Sequence, residues 1–239
     1  FTGWRTCSLC LGYGTMKIPF FSKNKKEEKK VDYKAVYPPN IGWLEKGLSK
    51  EEVDYLWKCI EGRGKSNKKS LVGHISASHE LVDKDNWFWL NTLAPLCQSY
   101  EKEFSNLGEM IPTSSPHPYY LEKMWVNFQK KHEFNPNQTH TGVYSFVVWM
   151  KIPTTFSEQR KNPISSESNS NVISNFVFNY QSILGEADCY YIYPMSPEME
   201  GCLVFFPSKL QHQVYPFFDC DETRISISGN VLMDTSRKL

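Results

Sequence analysis

The residues with the clearest capacity for chemistry lie near the C-terminus. In the stretch 203–214 a run of β-forming residues leads through Pro207-Ser208 to His212, and Arg224-Ile225-Ser226-Ile227-Ser228 follows twelve residues later. Both segments read as strands. An imidazole on one strand and a guanidinium on a neighbouring strand can set a metal ligand and a carboxylate clamp side by side on one wall of a small barrel. In the last strand Arg224, Ser226, Ser228 and Asn230 share one face, and Ile225 and Ile227 the other. An inward arginine without a partner is costly to bury, and no acidic residue lies on its face of that strand. A bound dicarboxylate would satisfy it, with Ser226 adding a hydroxyl donor. The competing reading is a salt bridge with Asp219, Asp221 or Glu222 at the start of the strand. A second histidine, His140, opens the apolar run ending at Met150. If it points inward, strict alternation puts Gly142, Tyr144, Phe146 and Val148 on the same face.

The elements that must position these residues follow from the periodicity. Ser49-Lys50-Glu51-Glu52 is a capping box, with Val53, Leu56, Trp57 and Ile60 at helical spacing and a stop near Gly62-Arg63-Gly64. A second helix is predicted over about 85–104, with Leu90, Leu93, Cys97, Tyr100 and Phe104 on its buried stripe. Pro95 implies a kink there or two short helices. Trp87, Phe88 and Trp89 read as core packing. From Tyr119 the period becomes two, giving strands near 125–129, 142–151, 175–180, 188–193, 202–206, 213–217 and 223–233. Helices followed by many short strands imply an α+β, mainly β chain with an antiparallel sandwich or jelly roll as its core. The Ser- and Asn-rich stretch 155–172 interrupts the strands, as a lid over a barrel mouth or a surface loop.

The chain has 239 residues, enough for one domain, or one domain with an appended segment. An irregular arm over 1–40 is expected to lead into a domain over 41–239, with helical support at about 48–105 and a β core at about 119–233. The arm holds Cys7-Ser8-Leu9-Cys10, two of the four ligands of a zinc knuckle; two free thiols are the simpler reading. Its charged run 23–30 reads as solvated. With 27 basic and 26 acidic residues the net charge is +1, which gives no global attraction to nucleic acid or a bilayer. No apolar run is long enough to span a membrane. No signal-peptide pattern is read, and the start at Phe1 leaves room for an upstream segment. Seven scattered cysteines do not resemble a disulfide framework, so an intracellular, reducing setting is expected.

Three blocks together resemble the Fe(II)- and 2-oxoglutarate-dependent oxygenases built on the double-stranded β-helix, most closely their small phage-encoded members. They are 125–136 (Trp-Val-Asn-Phe-Gln-Lys-Lys-His-Glu-Phe-Asn-Pro), 140–146 (His-Thr-Gly-Val-Tyr-Ser-Phe), and 206–230 with its Phe-Pro-Ser, Gln-His-Gln-Val-Tyr-Pro and Arg-Ile-Ser-Ile-Ser-Gly-Asn segments. The resemblance implies a jelly roll with N-terminal helices packed on it and the cofactors Fe(II) and 2-oxoglutarate. It implies hydroxylation of a small-molecule or peptide substrate as the default reaction. His212 would be the distal iron ligand, His140 a second ligand and catalytic residue, and Arg224 with Ser226 the anchor of the far carboxylate of 2-oxoglutarate. Asn127, Gln129 and Tyr144 would line the pocket, Asn127 and Tyr144 as cosubstrate contacts. Family members carry His-x-Asp or His-x-His at the first ligand pair, where this chain has Gln138-Thr139-His140. Gln138 would then offer a neutral oxygen as third ligand. Alternatively His140-Thr141-Gly142 matches the His-x-Gly of related halogenases, with a halide in the vacated position, or the metal site has decayed. Glu133, Asp219 and Asp221 are no evident replacement, and His74, His79 and His117 read as surface residues. The rival reading is a catalytically degenerate jelly-roll binding module, or a structural protein associated with phage virion proteins. A homo-oligomer is also allowed, and a phage origin would mean the host cytoplasm or the virion.

Overall fold

The runs of β-branched and aromatic residues in the second half of the chain have few conformations open to them besides strands, because their side chains pack best on a pleated surface. In the computed structural model, which describes residues 42–66, 71–181 and 189–238, they form two antiparallel sheets. The expected arm, with Cys7, Cys10 and the charged run, lies outside the described residues.

Ten strands are present among the described residues: β1 (Leu44–Gly47), β2 (Ala77–Leu81), β3 (Tyr119–Gln129), β4 (Asn135–Gln138), β5 (Tyr144–Lys151), β6 (Phe176–Tyr180), β7 (Cys189–Tyr193), β8 (Cys202–Pro207), β9 (Gln211–Val214) and β10 (Arg224–Met233). The larger sheet has the order β1-β8-β5-β10-β3-β2 and the smaller β4-β9-β6-β7. From β3 to β10 the chain alternates between the sheets except at the β6–β7 hairpin. Eight strands so wound make a double-stranded β-helix, the expected jelly roll. The short strands β1, β2 and β4 carry no clear alternation and were not anticipated. β9 ends at Val214, short of the expected 217, because Pro216 cannot donate to a ladder.

Helix α1 (Lys50–Glu61) starts at the expected capping box: Glu52 N–H donates to Ser49 Oγ at 3.3 Å and Ser49 N–H to Glu52 Oε2 at 2.7 Å. It ends at Gly62. The second helix is interrupted. A π-turn over Trp89–Leu93 precedes α2 (Ala94–Glu103), and Ala94 N–H reaches back to the Trp89 carbonyl. The wide turn sits where Pro95 would otherwise leave a carbonyl without its donor. The extra residue in the turn rotates the stripe, so Leu90, expected to be buried, is 62% exposed, while Leu93, Cys97 and Tyr100 stay in the core.

These helices cover the outer face of the larger sheet. Tyr144, Phe146, Val148 and Met150 of β5 pack with Leu56, Phe88, Leu93 and Tyr100, whereas Val147 and Trp149 face the smaller sheet with Phe176, Phe178 and Phe206. The expected inward face of β5 is therefore inverted. The strand starts only at Tyr144, and the turn before it contains Gly142 at φ 96°, which breaks alternation between His140 and the strand. A Cβ at Gly142 would lie 2.6 Å from the Val231 carbonyl oxygen, so glycine is required twice over.

The insertion 155–172 contains two single-turn helices, α3 (Phe156–Gln159) and α4 (Pro163–Ser166). The Gln159 amide donates to the Phe218 carbonyl and accepts from Phe218 N–H, at 2.9 and 2.8 Å. Arg160 binds the carbonyls of Ser165, Ser168 and Ser170. The segment is tied down along its length. Among the described residues no helix is long and apolar enough to cross a membrane.

Candidate active site

The pairing of β3 with β10 sets Arg224 beside Gln129, Ser226 beside Asn127 and Ser228 beside Trp125. All six side chains line a cavity of about 50 Å³ between the sheets. β5 contributes Val147 and Trp149; the smaller sheet contributes Gln138, Phe176, His212 and Val214. Leu71, Gly73 and Ile75, in the segment leading to β2, close one side.

Gln138 on β4 and His212 on β9 are register partners. His212 is buried against Phe176, Phe178 and Phe206. Its Nδ1 lies 3.0 Å from the Leu210 carbonyl, which must accept from an Nδ1–H and so fixes the tautomer with Nε2 bare. That Nε2 is 3.0 Å from His140 Nε2, with the rings 4.8 Å apart and nearly parallel at 12°. His140 N–H donates to the Ser208 carbonyl, and the Lys209 ammonium to the His140 carbonyl, which fix this residue outside any strand. Burial lowers the His140 pKa to about 3, helped by the positive charge of His212, Lys123 and Lys209. Burial brings His212 to about 4 against the opposing Leu210 bond. Both imidazoles are therefore neutral at physiological pH, the form that binds metal. The Gln138 amide reaches to 3.5 Å from His212 Nε2.

Arg224 is 2% exposed. Its guanidinium lies over Phe217 at 4.9 Å, and Nη1 makes one long bond to Gln129 Oε1 at 3.5 Å. Nε and Nη2 are buried without a partner. The salt bridge weighed from sequence is absent: Asp221 pairs with Lys131 and Glu222 with Lys151, both at 2.7 Å, and Asp219 accepts from Asn162. Burial pulls the Arg224 pKa down to about 10, so it stays charged at neutral pH. Asn127 Oδ1 accepts from Ser78 Oγ at 2.6 Å, which commits one end of that amide.

The fold thus gathers His140, His212, Gln138, Arg224, Ser226 and Asn127 around one cavity, with Gln129 and Ser228. Tyr144 is not among them. It lies on the opposite face of the sheet, ring to ring with Tyr100, Tyr119 and Phe205, for the parity reason given above. His117, expected on the surface, is buried, with Nδ1 against the Arg237 carbonyl. Glu133 turns its carboxylate to the amides of Ser76 and Lys130. Ser78, Trp149 and Asn135 were missed. β2 and β4 are too short to show a period, and Trp149 was assigned to the wrong face.

Among the described residues no three His, Cys, Asp or Glu side chains converge as metal ligands. The donor set is two imidazole nitrogens and one neutral amide. Turned over, that amide presents Oε1 to the same space. The set fits a divalent ion held by His140 and His212 with several positions open. The orphaned guanidinium fits a carboxylate ligand beside it.

Residues 123–230 match a family model described as "Putative 2OG-Fe(II) oxygenase". Among solved structures, similarity is found to an oxidoreductase of the 2OG-Fe(II) oxygenase family from Burkholderia pseudomallei. The identity is 11%, over 81% of this chain and 84% of that one, with a TM-score of 0.48. A prolyl-4-hydroxylase from Pseudomonas putida is similar at 14% identity, over 79% and 91% of the two chains, with a TM-score of 0.45. The fold assignment rests on the strand topology rather than on these likenesses. No curated protein sequence matches.

Proposed function

We propose, from the match of residues 123–230 to a 2OG-Fe(II) oxygenase family model, that the chain is an oxygenase using Fe(II) and 2-oxoglutarate to hydroxylate a substrate C–H bond. The observation that carries this reading is the buried, unpaired Arg224 guanidinium in the same cavity as the His140 and His212 Nε2 atoms. A cation held dry and without a counter-ion is expensive, and it is retained where a ligand supplies the missing charge.

In this reading His140 and His212 hold the iron and Gln138 Oε1 or an exogenous ligand takes a third position. When bound, Fe(II) and 2-oxoglutarate would supply the oxidising chemistry with dioxygen as the oxidant, one oxygen atom passing to the substrate C–H bond and the other to the cosubstrate, which leaves as succinate and carbon dioxide. The protein's own groups perform the remaining tasks. Arg224 and Ser226 anchor a carboxylate by charge and by hydrogen bonding. The Leu210 carbonyl keeps His212 in the tautomer whose Nε2 faces the cavity. Trp149, Phe176 and Phe206 exclude water from the space between the clamp and the histidines.

Gln138 supports a second reading, because it stands where family members carry a charged or imidazole ligand. A barrel that binds a carboxylate without turnover, as a binding module or a virion-associated protein, would have the same clamp. Anaerobic addition of Fe(II) and 2-oxoglutarate separates the two. The oxygenase gives a weak visible charge-transfer band, and Gln138→Asp, which adds a carboxylate at the metal, tightens iron by about 10-fold or more. Binding of 2-oxoglutarate with neither iron uptake nor a band would leave the binding module.

A further inference from the structure

The residue opposite Arg224 decides whether its charge is available. Register pairing of β10 with β3 places Gln129 directly across from it, and position 129 is 4% exposed. The orientation of that amide is set by its other end. Gln129 Nε2 donates to the Glu133 carbonyl at 2.6 Å, which leaves Oε1 as the end presented to Arg224 Nη1. Glu133 is itself held, its carboxylate accepting from Ser76 N–H at 3.0 Å and Lys130 N–H at 2.9 Å.

A glutamate at 129 would have nearly the same shape but would meet the guanidinium with a full negative charge in a dry cavity. The acids closest in sequence are all engaged elsewhere, Asp219 with Asn162, Asp221 with Lys131 and Glu222 with Lys151. The protein thus provides a weak neutral partner at the position directly across from Arg224.

We propose that Gln129 is the specificity-determining residue of this site. Its neutral oxygen holds the guanidinium in place while leaving the positive charge to be satisfied by a ligand carboxylate, so the site selects anionic ligands. This deepens the proposed function and rests on its reading of Arg224 as a carboxylate clamp.

The test compares the parent chain with Gln129→Glu and Gln129→Met by calorimetric titration of 2-oxoglutarate, with Mn(II) titrated separately and thermal melts run on each. Gln129→Glu gains an ion pair with Arg224 but turns a carboxylate oxygen to the Glu133 carbonyl that Nε2 now donates to, so without ligand it is expected to melt close to the parent and to keep Mn(II) binding. Its 2-oxoglutarate affinity is expected to fall on the order of 100-fold or more, since two carboxylates would compete for one guanidinium. Gln129→Met, neutral like the parent, should lose less than about 10-fold, one hydrogen bond's worth. Gln129→Glu binding 2-oxoglutarate like the parent would overturn the role of Gln129 alone. So would a Gln129→Glu chain that fails to fold, or a Met variant as impaired as the Glu variant. A parent that binds no 2-oxoglutarate would overturn the oxygenase reading and this inference together.

Discussion

Replacing Arg224 with methionine should make the ligand-free protein more stable, the opposite of the usual result of changing a fully buried residue. Two of its donors, Nε and Nη2, are buried without partners, and each such group costs about 1–3 kcal/mol, or about 2–6 kcal/mol together. The Phe217 ring beneath the guanidinium returns at most about 2 kcal/mol. The long bond to Gln129 returns on the order of 1 kcal/mol. Taking about 4 kcal/mol for the two donors against about 3 kcal/mol returned, the net penalty is on the order of 1 kcal/mol, at the lower end of the range gained when buried charges are exchanged for apolar groups of similar volume. A domain of this size shifts its Tm by roughly 2–4 °C per kcal/mol, so Arg224→Met should melt about 2–4 °C above the parent. With 2-oxoglutarate at about 100 times its Kd the parent should gain about 2.7 kcal/mol and the variant nothing, which narrows or reverses the order. Thermal melts of both proteins with and without 2-oxoglutarate provide the assay. A variant that melts below the parent without ligand would refute the reasoning, since the guanidinium would then be a net stabilising part of the core.

Two further outcomes follow from the site's surroundings. The metal-free protein should lose stability as pH falls below about 6.5, where the unfolded histidines take up protons and the buried pair does not until their pKa values of about 3 and 4. Protons are then bound preferentially by the unfolded chain, so stability rises with pH across that window, by up to about 1.4 kcal/mol per pH unit for each imidazole. Urea unfolding of the parent against the double variant His140→Asn, His212→Asn from pH 7 to pH 4 isolates this contribution; parallel profiles would contradict it. Gly142→Ala should cost about 1–3 kcal/mol, because alanine must adopt the positive φ and its Cβ meets the Val231 carbonyl. Gly47→Ala, with open space around it, is the control and should be nearly neutral in the same urea titration.

The C-terminal half of the site was legible in the sequence because it lies on one strand. The face shared by Arg224, Ser226 and Ser228 follows from a period of two, and the pairing with β3 stays in register from Arg224 to Asn230. The capping box at Ser49 and the stop at Gly62 were legible for the same reason, since they are set by bonds within one turn. The role of Tyr144 was misread because alternation does not survive a turn with a residue at positive φ, and the sequence of that turn does not announce its dihedral angles. Leu90 was misplaced by a single extra residue in a π-turn.

The sequence by itself determined the longer strands and the face that Arg224, Ser226 and Ser228 share. It also fixed that a histidine and an arginine occur in strands able to neighbour one another. Only the tertiary structure decided that β4 and β9 bring Gln138 to His212, that the His140 and His212 nitrogens meet at 3.0 Å, and that Gln129 rather than an acid stands opposite Arg224. The acids near Arg224 in the chain are its obvious partners in one dimension. In three dimensions they are turned outward to Lys131, Lys151 and Asn162. Local bonds and periodicity propagate over a few residues of chain, whereas the availability of a buried charge depends on every strand that packs around it.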